Sequence, residues 1–172
     1  LTDLTDSQSI SIRQRVASDP RTPPEVLTRL STDADSGVRS NVFENRNAPP
    51  DILVRASVSS DRYVRQSVAA NPNTPTTTLT QLACDTDPIV RQNVAQNPNT
   101  SPETLIQLAY DGDRGVRRCV ASNPHTPPEI LAQLAYDINE NVRRHVAQNP
   151  NTSPEALAQL DALEAAYRVM NS

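Results

Sequence analysis

The sequence predicts an all-α repeat solenoid with no β-sheet, and three observations predict it. A Val or Ile recurs at Ile12, Val38, Val64, Val90, Val116 and Val142, always 26 residues apart. Within each interval the apolar residues fall three and four apart, as on one face of a helix, and no tract alternates as a half-buried strand would. A unit of this length is too short to bury its own apolar face, so neighbouring units must stack into a continuous core.

Taken in order, Leu1 and Leu4 lie one period before Leu27 and Leu30. Residues 1–11 therefore read as a partial repeat, and the chain is expected to be part of a longer array. Six repeats follow, starting at 12, 38, 64, 90, 116 and 142. The first helical segment of a repeat follows an acidic or amide residue able to cap it: Asp35, Asp61, Asp87, Asp113 and, in the fifth such turn, Asn139. Pro88 then occupies a first-turn position, where its missing N–H costs nothing. Val64 with Val68 and Val116 with Val120 supply apolar pairs at i and i+4. The segment stops at Asn-Pro, since proline pushes its predecessor out of the α region, and its shortness leaves α and 3₁₀ geometry both open.

The second segment starts at Thr22, Thr100, Thr126 and Thr152, each followed three residues later by Glu25, Glu103, Glu129 and Glu155. That spacing predicts a capping box with proline in the first turn. Leu27 and Leu30, Leu79 and Leu82, Leu105 and Leu108, and Leu131 and Leu134 form its apolar stripe. After Leu160 the acidic turn gives way to DALEAAYRVM. Leu157, Leu160, Leu163, Tyr167 and Met170 keep helical spacing, which predicts one long helix over about 154–170 that caps the stack. Residues 1–172 are thus expected to form a single repeat solenoid.

Units reading VRxxVAxNPxTPPExLxxLAxDxD resemble the leucine-rich repeat variant family over essentially the whole chain, with the second repeat the weakest match. The resemblance implies a right-handed α/α superhelix of alternating α and 3₁₀ helices, comparable to armadillo and HEAT solenoids. One member of that family carries an iron–sulfur cluster in a separate cysteine-rich segment. The two cysteines here cannot supply the four thiolates of such a cluster, so no cofactor is expected.

Composition narrows the functional classes. Net charge is −4, which offers no global field to attract nucleic acid or an anionic membrane. All 16 basic residues are Arg, whose planar fork suits fixed pairing with carboxylates. No apolar run approaches the roughly 18 residues of a membrane span, and no signal peptide is visible, so a soluble cytoplasmic protein is expected. Cys84 and Cys119 belong to different repeats and different phases. With helical layers about 8 to 10 Å apart, both are expected as free thiols.

The repeat phases separate scaffold from candidate site. Arg13, Arg39, Arg65, Arg91, Arg117 and Arg143 form one column. They are expected to pair with acidic residues just upstream, Asp33 and Asp35 before Arg39, Asp61 before Arg65, Asp85 and Asp87 before Arg91, and Asp111 and Asp113 before Arg117. This makes a structural ladder that sets register. A second column, Asn45, Asn71, Asn97, Asn123 and Asn149, is expected to satisfy backbone groups in the turns.

The two positions after each Arg vary instead. They include Gln66, Gln92, Asn93, Arg118, Cys119, Arg144 and His145, and they predict an outward polar strip that turns basic toward the C-terminal repeats. This strip is the candidate recognition surface. Cys119 and His145 share a phase, but a layer spacing exceeds the reach of a catalytic pair and no third group orients them. No catalytic or metal site is therefore expected. In the second repeat Phe43 replaces the usual Ala and Ala56 the usual Leu, a volume-compensating swap if both enter one layer, or else a patch with Val54 and Val58. The expected function is a noncatalytic protein–protein interaction scaffold that recognises a protein or peptide. The alternative is nucleic-acid binding through the Arg residues.

Overall fold

The computed structural model describes residues 9–170, except for the side chains of residues 164, 167, 168 and 170. Among these residues every helix is α and there is no strand. Nine-residue and seven-residue helices alternate. The longer set comprises α1 (Ile10–Ser18), α3 (Ser36–Glu44), α5 (Arg62–Ala70), α7 (Pro88–Gln96), α9 (Arg114–Ser122) and α11 (Glu140–Gln148). The shorter set comprises α2 (Pro24–Leu30), α4 (Pro50–Ala56), α6 (Thr76–Leu82), α8 (Pro102–Leu108) and α10 (Pro128–Leu134), and α12 (Pro154–Met170) closes the series. The 3₁₀ helices implied by the family resemblance are replaced by α-helices. Three-residue bonds persist only at element ends, as where Asp33 N–H donates to Leu30 O. The expected partial repeat at Leu1 and Leu4 lies outside the described residues.

The helices group into two compact units, Leu1–Asn99 and Thr100–Ser172. In the first, α1, α3, α5 and α7 pack successively on one another, α2 and α6 each bridge the longer helices before and after them, and α4 lies against α5. In the second, α9 packs on α11, α8 lies against α9, and α10 bridges α9 and α11. In each unit the core is built in layers. Leu27, Leu53, Leu79, Leu105 and Leu131 are fully buried beside the Val pairs of the longer helices, each such side chain contributing about 1.5–3 kcal/mol.

Helix starts explain the two lengths. The carboxylates of Asp35, Asp61, Asp87 and Asp113 accept the N–H of Val38, Tyr63, Ile89 and Val116 at 2.7–3.0 Å, and Asn139 accepts that of Asn141. These Asp residues are thus helix caps. The threonine capping boxes do not form. Thr22, Thr126 and Thr152 instead donate their hydroxyls to Val16, Val120 and Val146 O at 2.5–2.6 Å. The two prolines or Ser-Pro after each threonine set the helix start one residue later, which leaves the hydroxyl to tie off the carbonyl end of the preceding longer helix. Where serine follows, it takes the cap: Ser101 accepts the Thr104 N–H and Ser153 the Ala156 N–H.

The Asn column locks successive layers. The amide of Asn71 donates to Phe43 O and Asn45 O at 2.7 and 2.9 Å, both in the preceding repeat, while its oxygen accepts the Asn73 N–H at 2.8 Å. Asn45, Asn97 and Asn149 repeat the arrangement. Asn47, Asn73, Asn99 and Asn151 form a second rail by donating to the carbonyls of Pro20, Arg46, Pro72 and Pro124.

The Arg ladder runs in the opposite direction to the one expected. Arg65 Nε–H and Nη2–H donate to Asp85 at 2.6 and 3.0 Å, so the carboxylate lies downstream, in the turn that ends the same repeat, rather than among the residues upstream. Arg13 holds Asp33 and Arg117 holds Asp137 in the same bidentate way. Upstream each Arg meets backbone: Nη1–H of Arg39, Arg65, Arg91, Arg117 and Arg143 donates to the carbonyls of Asp33, Ser59, Asp85, Asp111 and Asp137. The reason is reach. A guanidinium in the first half of a nine-residue helix spans to the next turn, where the carboxylate also accepts a turn N–H, as Asp85 does from Asp87. Hydrogen bonding from Arg13 holds Asp33 below its ordinary pKa. Burial pushes Asp85 and Asp137 up, but the Arg forks and turn N–H groups outweigh it and leave both lowered.

Candidate binding surface

The two variable positions after each Arg do not share one face. The first points outward along the longer helices: Gln66 and Gln92 are half-buried, and Arg118 and Arg144 are exposed. The second turns toward the preceding layer. Asn93 donates to Gln66 O at 3.1 Å and Asn41 to Gln14 O at 3.2 Å. Cys119 is only 1% exposed, so it belongs to the core and not to the polar strip. The cause is its phase, three residues after Val116 and next to Val120 on the buried side of the helix. His145 stays half-buried, with Nδ1 donating to Asn141 O at 2.7 Å. Arg144 pairs with Glu140 at 2.8 Å on the surface.

In the first unit the strip gains a shape. Gln66, Asn93, Ser40, Glu44, Tyr63, Ser67 and Ala70 line an open depression of about 450 Å³. Tyr63 stands at its edge, 57% exposed, with the Arg62 guanidinium 4.8 Å above its ring centroid and bonded to its hydroxyl at 2.9 Å. Ser67 donates to Glu44 or to Tyr63 O. The Gln66 side-chain amide meets no partner among the described residues. The depression therefore presents an aromatic face, a carboxylate and an open amide on rigid helices.

Tyr63 and Glu44 were not among the residues singled out from the sequence. The signal for Tyr63 was present, since its column otherwise reads Ser11, Gly37, Ile89, Gly115 and Asn141 and only here carries an aromatic ring. Both cysteines are free thiols, Cys84 exposed and Cys119 buried. Among the described residues no group of three or more His, Cys, Asp or Glu is placed to hold a metal, and no helix is long and apolar enough to cross a membrane.

Stacked α-helical repeats, tied by amide and guanidinium columns and carrying variable side chains outward, define a helical repeat scaffold. A family model for the Leucine Rich Repeat Variant domain matches residues 63–121 and 118–167, and the chain belongs to that family. The match begins at the last residue of the second repeat, the one that departs furthest from the pattern. Among solved structures, the chain is similar to a leucine-rich repeat variant with a novel repetitive structural motif, at 31% identity and a TM-score of 0.68, over 94% of this chain and 64% of that one. It therefore spans just under two thirds of that protein's length. A designed armadillo repeat protein is similar in fold alone, at 15% identity and a TM-score of 0.51, over 92% of this chain and 97% of that one. No curated protein matches the chain.

Proposed function

We propose that the chain is a noncatalytic scaffold that binds a protein partner along its nine-residue helices. The observation that carries this reading is the depression around Tyr63, where an exposed aromatic ring, Ser40, Ser67, Asn93 and the open amide of Gln66 sit together. Tyr, Ser and Asn side chains on a rigid frame supply contact area and adaptable hydrogen bonds at low entropic cost, the chemistry of paratopes. The free thiols support a reducing compartment, so the partner is sought in the cytoplasm.

Other classes draw less support. Arg65 and Arg117, which a nucleic-acid reading needs, hold their forks on Asp85 and Asp137. An enzyme reading would rest on Cys119 and His145, of which the first is buried and the second bonded to its own helix. The test is crosslinking in native lysate followed by mass spectrometry, comparing the natural chain with a Tyr63→Ser, Gln66→Arg variant. The scaffold reading expects a defined set of protein partners that the variant loses while melting at the same temperature. Identical partner sets for the two chains would refute the assignment to this surface.

A further inference from the structure

The Arg39 rung of the ladder lacks its carboxylate. At the position held by Asp33, Asp85 and Asp137 in the paired rungs, the second repeat carries Ser59. Ser59 still performs the turn function, its hydroxyl accepting the Asp61 N–H at 3.2 Å. It does not replace the ion pair. Arg39 donates through Nη1 alone, to Asp33 O and Ala34 O at 2.6 and 3.0 Å, and its Nε/Nη2 edge meets no partner among the described residues. That edge is the one that grips a carboxylate in Arg13, Arg65 and Arg117.

Arg39 and Ser59 both line a pocket of about 340 Å³, within the range of small-ligand sites. Arg39 and Arg55 bring positive charge, Ser31, Thr32 and Ser59 bring hydroxyls, and Phe43, Ile52, Ala56 and Val64 form apolar lining. Arg55 is exposed and already pairs with Asp51 at 3.0 Å, so it adds field at the mouth while Arg39 carries the unfilled fork. Phe43, Ala56 and Ser59 are all departures from the repeat pattern, and all three line this one pocket. Ala56 and Ser59 each remove volume that the other repeats fill with Leu and Asp.

We propose that this pocket binds the carboxylate of an acidic side chain on a partner polypeptide, seated on the Nε/Nη2 edge of Arg39 in the place of the missing rung. A carboxylate is favoured because the same fork takes one in bidentate geometry at Arg13, Arg65 and Arg117, and at Arg65 and Arg117 the same upstream carbonyl bonds hold it. The apolar lining accepts a flanking aliphatic side chain. From the scaffold reading the proposal takes only that the partner is a polypeptide, and the depression around Tyr63 plays no part in it.

The test follows the arginine Nε–H resonances of the 172-residue chain by NMR during titration with the blocked peptide acetyl-Leu-Asp-Leu-amide. The expected result is a saturable shift at Arg39, with the Asn counterpart binding about tenfold or more weakly. Ser59→Asp restores the rung from within, so it is expected to leave the fold intact and abolish the shift, as is Arg39→Gln. No saturable shift at Arg39, an undiminished shift in Ser59→Asp, or preference for inorganic phosphate over the Asp peptide would each overturn the proposal. Such a failure leaves the Tyr63 depression and its crosslinking result standing.

Discussion

At the scale of single residues, the chain divides its polar side chains between those that face backbone in a neighbouring layer and those that face out. Asn71 is 2% exposed and satisfies two carbonyls and one N–H at once. Asn71→Ala orphans all three, and each buried unsatisfied group costs about 1–3 kcal/mol. The expected outcome is a large fall in the denaturant midpoint without a change in helical content of the folded state. Phe43 is 3% exposed and sits with Ala56 at one pocket, while Val54 and Val58 point to solvent. Phe43→Ala is therefore expected to cost about 3–5 kcal/mol, read by chemical denaturation. A stable variant would sink the compensating-swap account.

The ladder carboxylates set the acid limit. Asp33, Asp85 and Asp137 have folded-state pKa values below the ordinary value, so the folded state holds their protons less readily than the unfolded chain. Their contribution is complete above the ordinary carboxylate value, about 3.9, and is lost as pH falls through the depressed folded-state values. Denaturation midpoints should stay level from neutral pH to about pH 5 and fall below about pH 4. Arg117→Gln removes one such pair, and its acid limb should be shallower. An equally steep limb would show that the Arg117–Asp137 pair does not set it.

At the scale of elements, the nine-residue helices depend on their caps and the seven-residue helices on their neighbours. Asp113→Ala removes the acceptor for the Val116 N–H and is expected to cost about 1 kcal/mol, measured by thermal melting. Thr126→Val replaces a buried hydroxyl bonded to Val120 O and should cost a similar amount. Much of this was legible in advance. The Asp caps, the leucine stripe, the Asn-Pro stops and the long helix from Pro154 all follow from local rules of spacing and capping. The threonine role was not, because a capping box and a back-bond to the preceding helix begin with the same Thr-x-x-Glu tract, and only the proline after the threonine decides between them. Nor was the direction of the Arg ladder, since Asp residues lie near each Arg both before and after it in sequence. The strip was half legible: its outward position is variable in chemistry, while the position of Cys119 varies only because a layer contact tolerates Ser, Asn, Cys or His. Leu157 is 37% exposed although Leu105 and Leu131, in the same phase, are fully buried; α12 instead buries Ala156 and Leu160. Tyr167 and Met170 fall outside the described side chains.

At the scale of the whole molecule, stability is a sum over repeats and their interfaces. Removing one full period, residues 64–89, should return every column to register and give a folded, less stable chain with cooperative melting. Removing residues 64–83 breaks the period and should give a chain that does not melt cooperatively. The central claim is that a residue's phase in the repeat decides whether it holds layers together or faces a partner. The direct test is thermal melting of single alanine substitutions across the repeat that starts at Val64. The account predicts marked losses at Val64, Arg65, Val68 and Asn71 and a change within error at Gln66. A flat profile, or a loss at Gln66 as large as that at Asn71, would contradict it.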